Sequence, residues 1–463
     1  MTGTTTPRIG VLGLLLDAYR PLFPGIQEQQ ESYLRDVLAD LSDIAEFHFP
    51  GAATTREEVE AVVHRFNADG LDAVVIVMLS YAPGQHVVRA MLENRLPVAL
   101  VLIQPEERTR PDIDERALTV NQGIHGSQDV ANSLLRAGIP LEVYAGSRTD
   151  GRLRRFLQDF GAAAATTRAA RHLRLGAIGA LTGMGDIIVD EMALFRNIGP
   201  QVSHDAVGEV FHRCEAVSEE AVRERVARDR ELFDIDPRLP AEDHAYAVRL
   251  YLGLRAYLDD HGYAGFTAHY EDFGADGRFR QLPLLAASHL LADGYGYAAE
   301  GDVMAAALVT IMGRLVGEAN FTEMYMFDLE RDAILFCHAG EGNWATAGDR
   351  PRIIDRVLTE GGLGNPPTPL FTPRSGRATI ASLVHLGEDR FRLVSASGEV
   401  LAPVPLPNCD MPSFFFRPDA GAADLAAGWL RAGGAHHQAV VLGEHDARIA
   451  TWCRLNRIEQ LHL

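Results

Sequence analysis

The sequence predicts an α/β protein: two doubly wound α/β domains followed by a C-terminal antiparallel β domain closed into a small barrel-like form. Three observations lead there. The opening third alternates continuous apolar runs with helix-period segments, the pattern of a parallel sheet with crossover helices. After a bland stretch at 162–170 (AAAATTRAA) a similar rhythm resumes. Beyond Asn320 it gives way to short strands punctuated by polar and glycine-containing turns. A chain of 463 residues is too long for one ordinary core, and about three domains suit that length. The expected domains are an N-terminal domain at 1–167, a central domain at 168–318 and a β-rich domain with final helices at 319–463.

In chain order, 9–16 (IGVLGLLL) has the length of a buried parallel strand, 27–41 has helical spacing, and 47–49 is a short strand ended by Pro50-Gly51. Thr55, with Glu58 three residues on, forms a capping-box signature for the next helix. Buried strands follow at 71–79, 98–103 and 141–145, then a helix to about Gly161, with 162–170 as the passage between domains. Asp17, Ser80-Tyr81 and Gln104 each follow an apolar strand, where such sheets bind ligands, and a plain loop role suits them equally well. No GxGxxG follows Leu16, so a dinucleotide fingerprint is absent. The central domain should contain a glycine-rich turn at Gly183-Met184-Gly185-Asp186, a charged amphipathic helix with a solvated face at 218–230, a strand at 265–270 and a helix at 282–291. The last domain should hold strands at 333–337, 378–386, 390–395 and 414–417, hairpin loops at 387–389 and 396–398, and a helix at 422–432.

A formal charge of −20 argues against nucleic acid or an anionic membrane as partner. The four cysteines are scattered with no CxxC pair, which points to reduced thiols and a cytoplasmic location. The first residues, MTGTTTPR, carry no secretory signal, and no apolar run approaches the ~20 residues that span a bilayer.

The chemistry concentrates at 294–341. A glycine-rich turn delivers Glu300 to the mouth of an apolar helix at 303–315, Glu323 sits in the next aromatic segment, and His338 ends a strand-like run. His436-His437 follow Gly433-Gly434-Ala435, small residues that allow close approach to the backbone. Two carboxylates and imidazoles suit a divalent ion such as Mn²⁺, and their long spacing requires a preformed fold. Taken singly, Glu300 also suits a helix first turn, Glu323 an exposed edge, and His338 a satisfied core histidine.

Together these stretches resemble the L-arabinose isomerase family. GYGYAAEGD at 294–302 is similar to that family's GYGFGAEGD, FTEMY at 321–325 to FMEDY, CHAGE at 337–341 to S/A-H-M-L-E, and AGGAHH at 432–437 to AGGAHH. NQGIHG at 121–126 resembles LNQxxHG, and Phe266-Thr267 with Tyr270-Glu271-Asp272 resembles FTxxFED. The resemblance implies an aldose–ketose isomerase acting on a free sugar through an enediol, with Mn²⁺ held by Glu300, Glu323, His338 and His437. Glu300 and Glu323 would also be the catalytic acid/base pair. It implies that His436 touches substrate, although the sequence alone fits either imidazole of the pair as the ligand, and that His125 reaches a neighbouring subunit's site in a homo-oligomer, a hexamer. Glu341, three residues after His338, is spaced to orient that ring.

The departures concern the sugar. The family's T-G-S-Q-like stretch is 13–19 (GLLLDAY) here, without the glutamine, and Tyr270 stands where the family has phenylalanine. Asp17, Tyr270 and Met184, the last in a turn that does not align cleanly with the family, join His125 and His436 as candidate substrate contacts. An L-fucose isomerase-like activity on another aldose is the near alternative. A non-catalytic sugar-binding or sensor protein would not need both glutamates. A metal enzyme acting on a phosphorylated sugar would want an Arg/Lys cluster or phosphate-cradling loop, and none is evident near the ligands.

Overall fold

The computed structural model describes residues 6–179, 183–358 and 362–463. The chain forms two compact units: residues through Arg168 with Ala447–Leu455, and Ala169–Asp446 with Asn456–Leu463.

The first unit is built on an all-parallel sheet in the order Glu46–His48, Arg8–Leu14, Ala73–Met78, Val98–Leu102, Glu142–Ala145, with Ala52–Ala53 also pairing along Arg8–Leu14. Alternate side chains feed two cores, because successive residues of a strand face opposite ways. Ile9, Val11, Val75 and Val77 pack with Leu34, Val37, Leu157 and Phe160 on one face. Leu12, Leu14, Val74 and Ile76 pack with Val59, Val63, Met91 and Val130 on the other. Helices therefore cover both faces, as the unbroken apolar strands require. Thr55 caps the helix Arg56–Ala68 with the reciprocal Glu58 contact of a capping box. One expectation is corrected: the helix Arg152–Ala170 continues through 162–170. Alanine is the strongest helix former, and Ala163, Ala164 and Ala170 are fully buried there.

The second unit holds a four-stranded parallel sheet, ordered Gly296–Ala299, Gly265–Ala268, Arg174–Ile178, Gln201–Asp205. It also holds a seven-stranded sheet in the order Gly376–His385, His437–Leu442, Asn320–Asp328, Ala333–Cys337, Ser413–Pro418, Phe391–Val400, Glu459–His462. The first of these strands also pairs with Phe391–Val400, so the ladder returns on itself. Glu459–His462 runs parallel to Phe391–Val400, which makes the sheet mixed rather than purely antiparallel.

Four local expectations change in this unit. The stretch before Glu300 is the strand Gly296–Ala299, not a turn. The strand from Gly265 stops at Ala268, and Tyr270 begins the helix Tyr270–Asp276, whose first turn takes the acids Glu271 and Asp272. Residues 396–398 lie inside Phe391–Val400, and Gly398 is there for space: a Cβ would meet the Arg417 carbonyl at 2.4 Å and the Phe416 ring at 2.5 Å. The charged residues of the helix Glu219–Leu232 do not all lie on its solvated face, since Asp229 is 0% exposed. The loop at 387–389 does turn the hairpin, with Gly387 and Glu388 both at positive φ. Among the described residues, no helix is long and apolar enough to cross a membrane.

Candidate active site

The four-stranded sheet delivers Glu300. Its strand ends at Ala299, and Glu300 follows in the left-handed region (φ +65), its N–H donating to the Ala268 carbonyl at 2.9 Å. A non-glycine residue held there costs about 1–3 kcal/mol and marks a position whose side-chain direction matters. It lies beyond the carboxyl end of a parallel strand, where α/β sheets bind ligands. The seven-stranded sheet delivers the rest by register: Glu323 stands opposite His437 on one side and Cys337, the neighbour of His338, on the other.

These side chains converge. His437 Nε2 lies 3.6 Å from Glu300 Oε2 and 3.5 Å from Glu323 Oε1. His338 Nε2 lies 3.9 Å from Glu323 Oε2, and His436 Nε2 is 3.7 Å from an oxygen of each glutamate. Two sets, Glu300/His436/His437 and Glu323/His338/His437, each keep their donor atoms within 4.8 Å of one another. His338 and His437 are buried, while Glu300 and Glu323 keep partial access to solvent.

Each imidazole is held from behind. His437 Nδ1 meets Asp302 Oδ2 at 2.9 Å, while Asp302 Oδ1 accepts from Ala305 N at 2.9 Å and so caps the helix Val303–Val316. His338 Nδ1 meets Glu341 Oε2 at 2.8 Å, and Tyr297 donates its hydroxyl to Glu341 Oε1 at 2.8 Å. Asp186 Oδ2 takes both the backbone N–H of His436 at 3.0 Å and its Nδ1 at 2.6 Å. Carboxylates only accept, so each fixes a proton on Nδ1 and turns Nε2 toward the glutamates. His437 Nε2 is buried and has no hydrogen-bond partner.

The electrostatics follow from this packing. Nearby Glu300 raises His436 to about 9 against the opposing effect of burial, with Asp186 adding to the rise. The separation from Glu300, 3.7 Å, makes that contact an ion pair rather than a hydrogen bond. Contact with His436 in turn holds Glu300 below its ordinary value, against burial. Burial alone would raise Glu341, but His338 and the Tyr297 hydroxyl hold it low. Burial, then Glu341, pushes Tyr297 well above the usual phenol range, so it remains a proton donor.

A cavity of about 270 Å³ opens beside the cluster, lined by Glu300, His338, Tyr270, Phe273, Leu282, Tyr325 and Leu358 among others. Tyr270 thus lies on its wall. Met184 is half-buried and immediately precedes the short helical turn Gly185–Ile187 that carries Asp186; residues 180–182 of the same segment lie outside the described residues. His125 is exposed on the helix Gly123–Arg136, and Asp17 is exposed and paired with Arg20 at 3.0 Å; both belong to the first unit, whereas the cluster belongs to the second. The close backbone approach expected at 433–435 is made by the protein itself: a Cβ on Gly434 would meet the Trp429 indole at 2.3 Å.

Sequence reasoning gave no role to Asp302, Tyr297 or Asp186. Asp302 carried a readable signal, an N-cap acid directly before an apolar helix. Asp186 lies 250 residues from His436 and offers no local sign.

Two family models match: the L-arabinose isomerase central domain over 180–318 and the L-arabinose isomerase C-terminal domain over 318–459. L-arabinose isomerase of Geobacillus stearothermophilus is 30% identical over 430 residues, covering 89% of this chain and 85% of that protein. L-arabinose isomerase 1 of Bacillus licheniformis is 29% identical over 422 residues, covering 89% and 84%. That of Arthrobacter sp. is 30% identical over 428 residues, covering 88% and 82%. A solute-binding protein of Actinobacillus succinogenes with bound D-allose matches at 10% identity over 68% of this chain and 92% of its own, with a TM-score of 0.18, too low to bear on the fold.

Proposed function

Because this chain belongs to the L-arabinose isomerase family, and so is an aldose–ketose isomerase, we propose that it interconverts L-arabinose or a closely related free aldose with the matching ketose through an enediol. The observation that carries the reading is the meeting of two donor sets, Glu300/His436/His437 and Glu323/His338/His437, at the shared His437, with Glu300 and His338 also lining the cavity. The donor set suits Mn²⁺ or another divalent cation: two carboxylates, two imidazoles with Nδ1 already engaged, and an orphaned buried Nε2 on His437. A cation held there supplies Lewis-acid stabilisation of the charge that develops on the sugar oxygens.

The protein's own groups divide the proton work. Glu323 takes the C2 proton and returns it to C1. Glu300 moves protons between O1 and O2. His436, held by Asp186 and half-exposed, meets the substrate rather than the cation, while buried His437 serves as ligand. The parallel sheet carrying Glu300 and the returning seven-stranded sheet carrying the other ligands act as two domains divided near residue 318, the second a small barrel. All four cysteines are free, in keeping with a reducing cytoplasm. The reading is tested by supplying a panel of aldoses with Mn²⁺ and scoring ketose formation; no ketose from any of them, L-arabinose included, would sink it.

The sugar beyond C2 is set by the altered wall. A site that bonds a hydroxyl discriminates far more strongly than an apolar wall, and Tyr270 adds a hydroxyl where the family motif has phenylalanine. Tyr270→Phe is therefore expected to shift relative kcat/KM between aldoses by about tenfold or more while changing the best kcat little. An unchanged ranking, with L-arabinose foremost, would refute a divergent pocket; a ranking led by another aldose favours the L-fucose isomerase-like alternative.

The exposed position of His125, in the first unit, is compatible with a role in a neighbour's site within a hexamer. Mixing inactive Glu300→Gln protein with inactive His125→Ala protein should restore part of the activity, since a mixed interface holds one intact site. Failure to recover, with subunit exchange demonstrated, would count against sharing.

A further inference from the structure

We propose that Tyr297 is a positioning residue of the metal centre: its hydroxyl fixes the Glu341 carboxylate, which orients the His338 ring so that Nε2 faces Glu323. The proposal rests on the reading that this cluster holds a divalent cation.

Glu341 is 4% exposed, so both of its oxygens need partners from the protein. His338 Nδ1 occupies Oε2 at 2.8 Å and the Tyr297 hydroxyl occupies Oε1 at 2.8 Å. With both contacts made, the carboxylate cannot turn about its own axis without losing one. The phenol is equally fixed, its ring lying 5.0 Å from Phe266 and edge-on to Phe321 at 5.6 Å. Phe321 in turn contacts the rings of His338 and His437 at 4.7 and 4.9 Å. Hydroxyl, carboxylate and imidazole therefore form one buried series running from the parallel sheet to the ligand.

The GYGFGAEGD motif has phenylalanine where Tyr297 stands, so the ring fits without its oxygen and Tyr297→Phe should fold. That variant takes from the buried Glu341 Oε1 its Tyr297 donor and leaves the carboxylate freer to swing toward water or toward His338. Loosening a ligand's supporting partner typically weakens metal affinity about 10–100-fold.

The experiment measures Mn²⁺ affinity directly, from the paramagnetic resonance signal of the free ion, in wild type, Y297F, E341Q and the double variant. Melting of the metal-free proteins is followed in parallel. Y297F should raise the Kd for Mn²⁺ by about 10–100-fold, and E341Q by at least as much. The double variant should bind no more weakly than E341Q alone, because Tyr297 acts through Glu341. Y297F binding within about threefold of wild type, whatever its melting temperature, would overturn the proposal, as would losses that multiply in the double variant. A wild-type protein that binds no Mn²⁺ would overturn the metal reading and the proposal with it, whereas the first two outcomes overturn the proposal alone.

Discussion

Glu323→Gln is expected to lower kcat by at least about 10²-fold while the protein stays folded and still takes up Mn²⁺, the scale on which a positioned acid–base group contributes. Glutamine keeps the size of the side chain and one oxygen donor, so His437 and His338, 3.5 and 3.9 Å away, keep a neighbour of similar shape. What it lacks is the capacity to accept the C2 proton. On the proposed mechanism Glu323 acts only at C1 and C2, so KM should move far less than kcat, the signature of an interaction made mainly in the transition state. Steady-state rates at saturating Mn²⁺, with bound metal counted separately, make the check. A metal-replete variant with near-normal turnover would reduce Glu323 to a structural ligand.

How far the sequence carried depends on the range of the signal. The apolar run at 71–79 read as a buried strand and holds one at Ala73–Met78, and the Thr55–Glu58 signature marked its helix start, because both signals lie in neighbouring residues of the chain. The stretch at 294–299 was misread for the opposite reason. Glycine and tyrosine alternate there as they would in a turn, and only pairing with Gly265–Ala268 makes a strand of it. Residues 396–398 misled in the same way, since Gly398 is small to admit Phe416, not to turn the chain. At the site, the glutamates and histidines stood out as residue types in ordered motifs. Their supports did not, because a contact such as Asp186 to His436 exists only once the two ends of the unit are folded together.

Asp229→Asn should be the most damaging change outside the site, because it breaks a buried charge cluster on one side only. Asp229 is fully buried and joins Arg225 at 2.8 Å, His244 at 3.0 Å and His289 at 3.4 Å. His289 Nδ1 accepts from Trp344 Nε1 at 3.1 Å and lies 2.8 Å from Arg225 Nη2, so its proton sits on Nε2, facing the aspartate. The cluster ties the helices Glu219–Leu232, Ala241–His261 and Leu284–Asp293 to the turn Trp344–Thr346. Asparagine preserves the shape but leaves the Arg225 guanidinium without its counter-charge, a loss of about 3–5 kcal/mol for a buried pair. In a unit of this size that corresponds to a fall in Tm on the order of 10 °C. Burial alone would raise Asp229, but its histidine and arginine partners outweigh that and hold it far below the usual carboxylate range. A depressed carboxylate stabilises the fold fully above its unfolded pKa, about 3.9, and loses that contribution as pH falls toward the folded value. Burial also lowers His289, so wild-type stability begins to fall earlier, as pH drops through about 6.5 and the unfolded chain takes up that proton. Thermal melts of the two proteins should therefore stay apart at every pH above about 4 and draw together only as pH falls below it. Equal melting temperatures at pH 7 would show that Arg225 finds another partner and that the cluster is not what holds these helices.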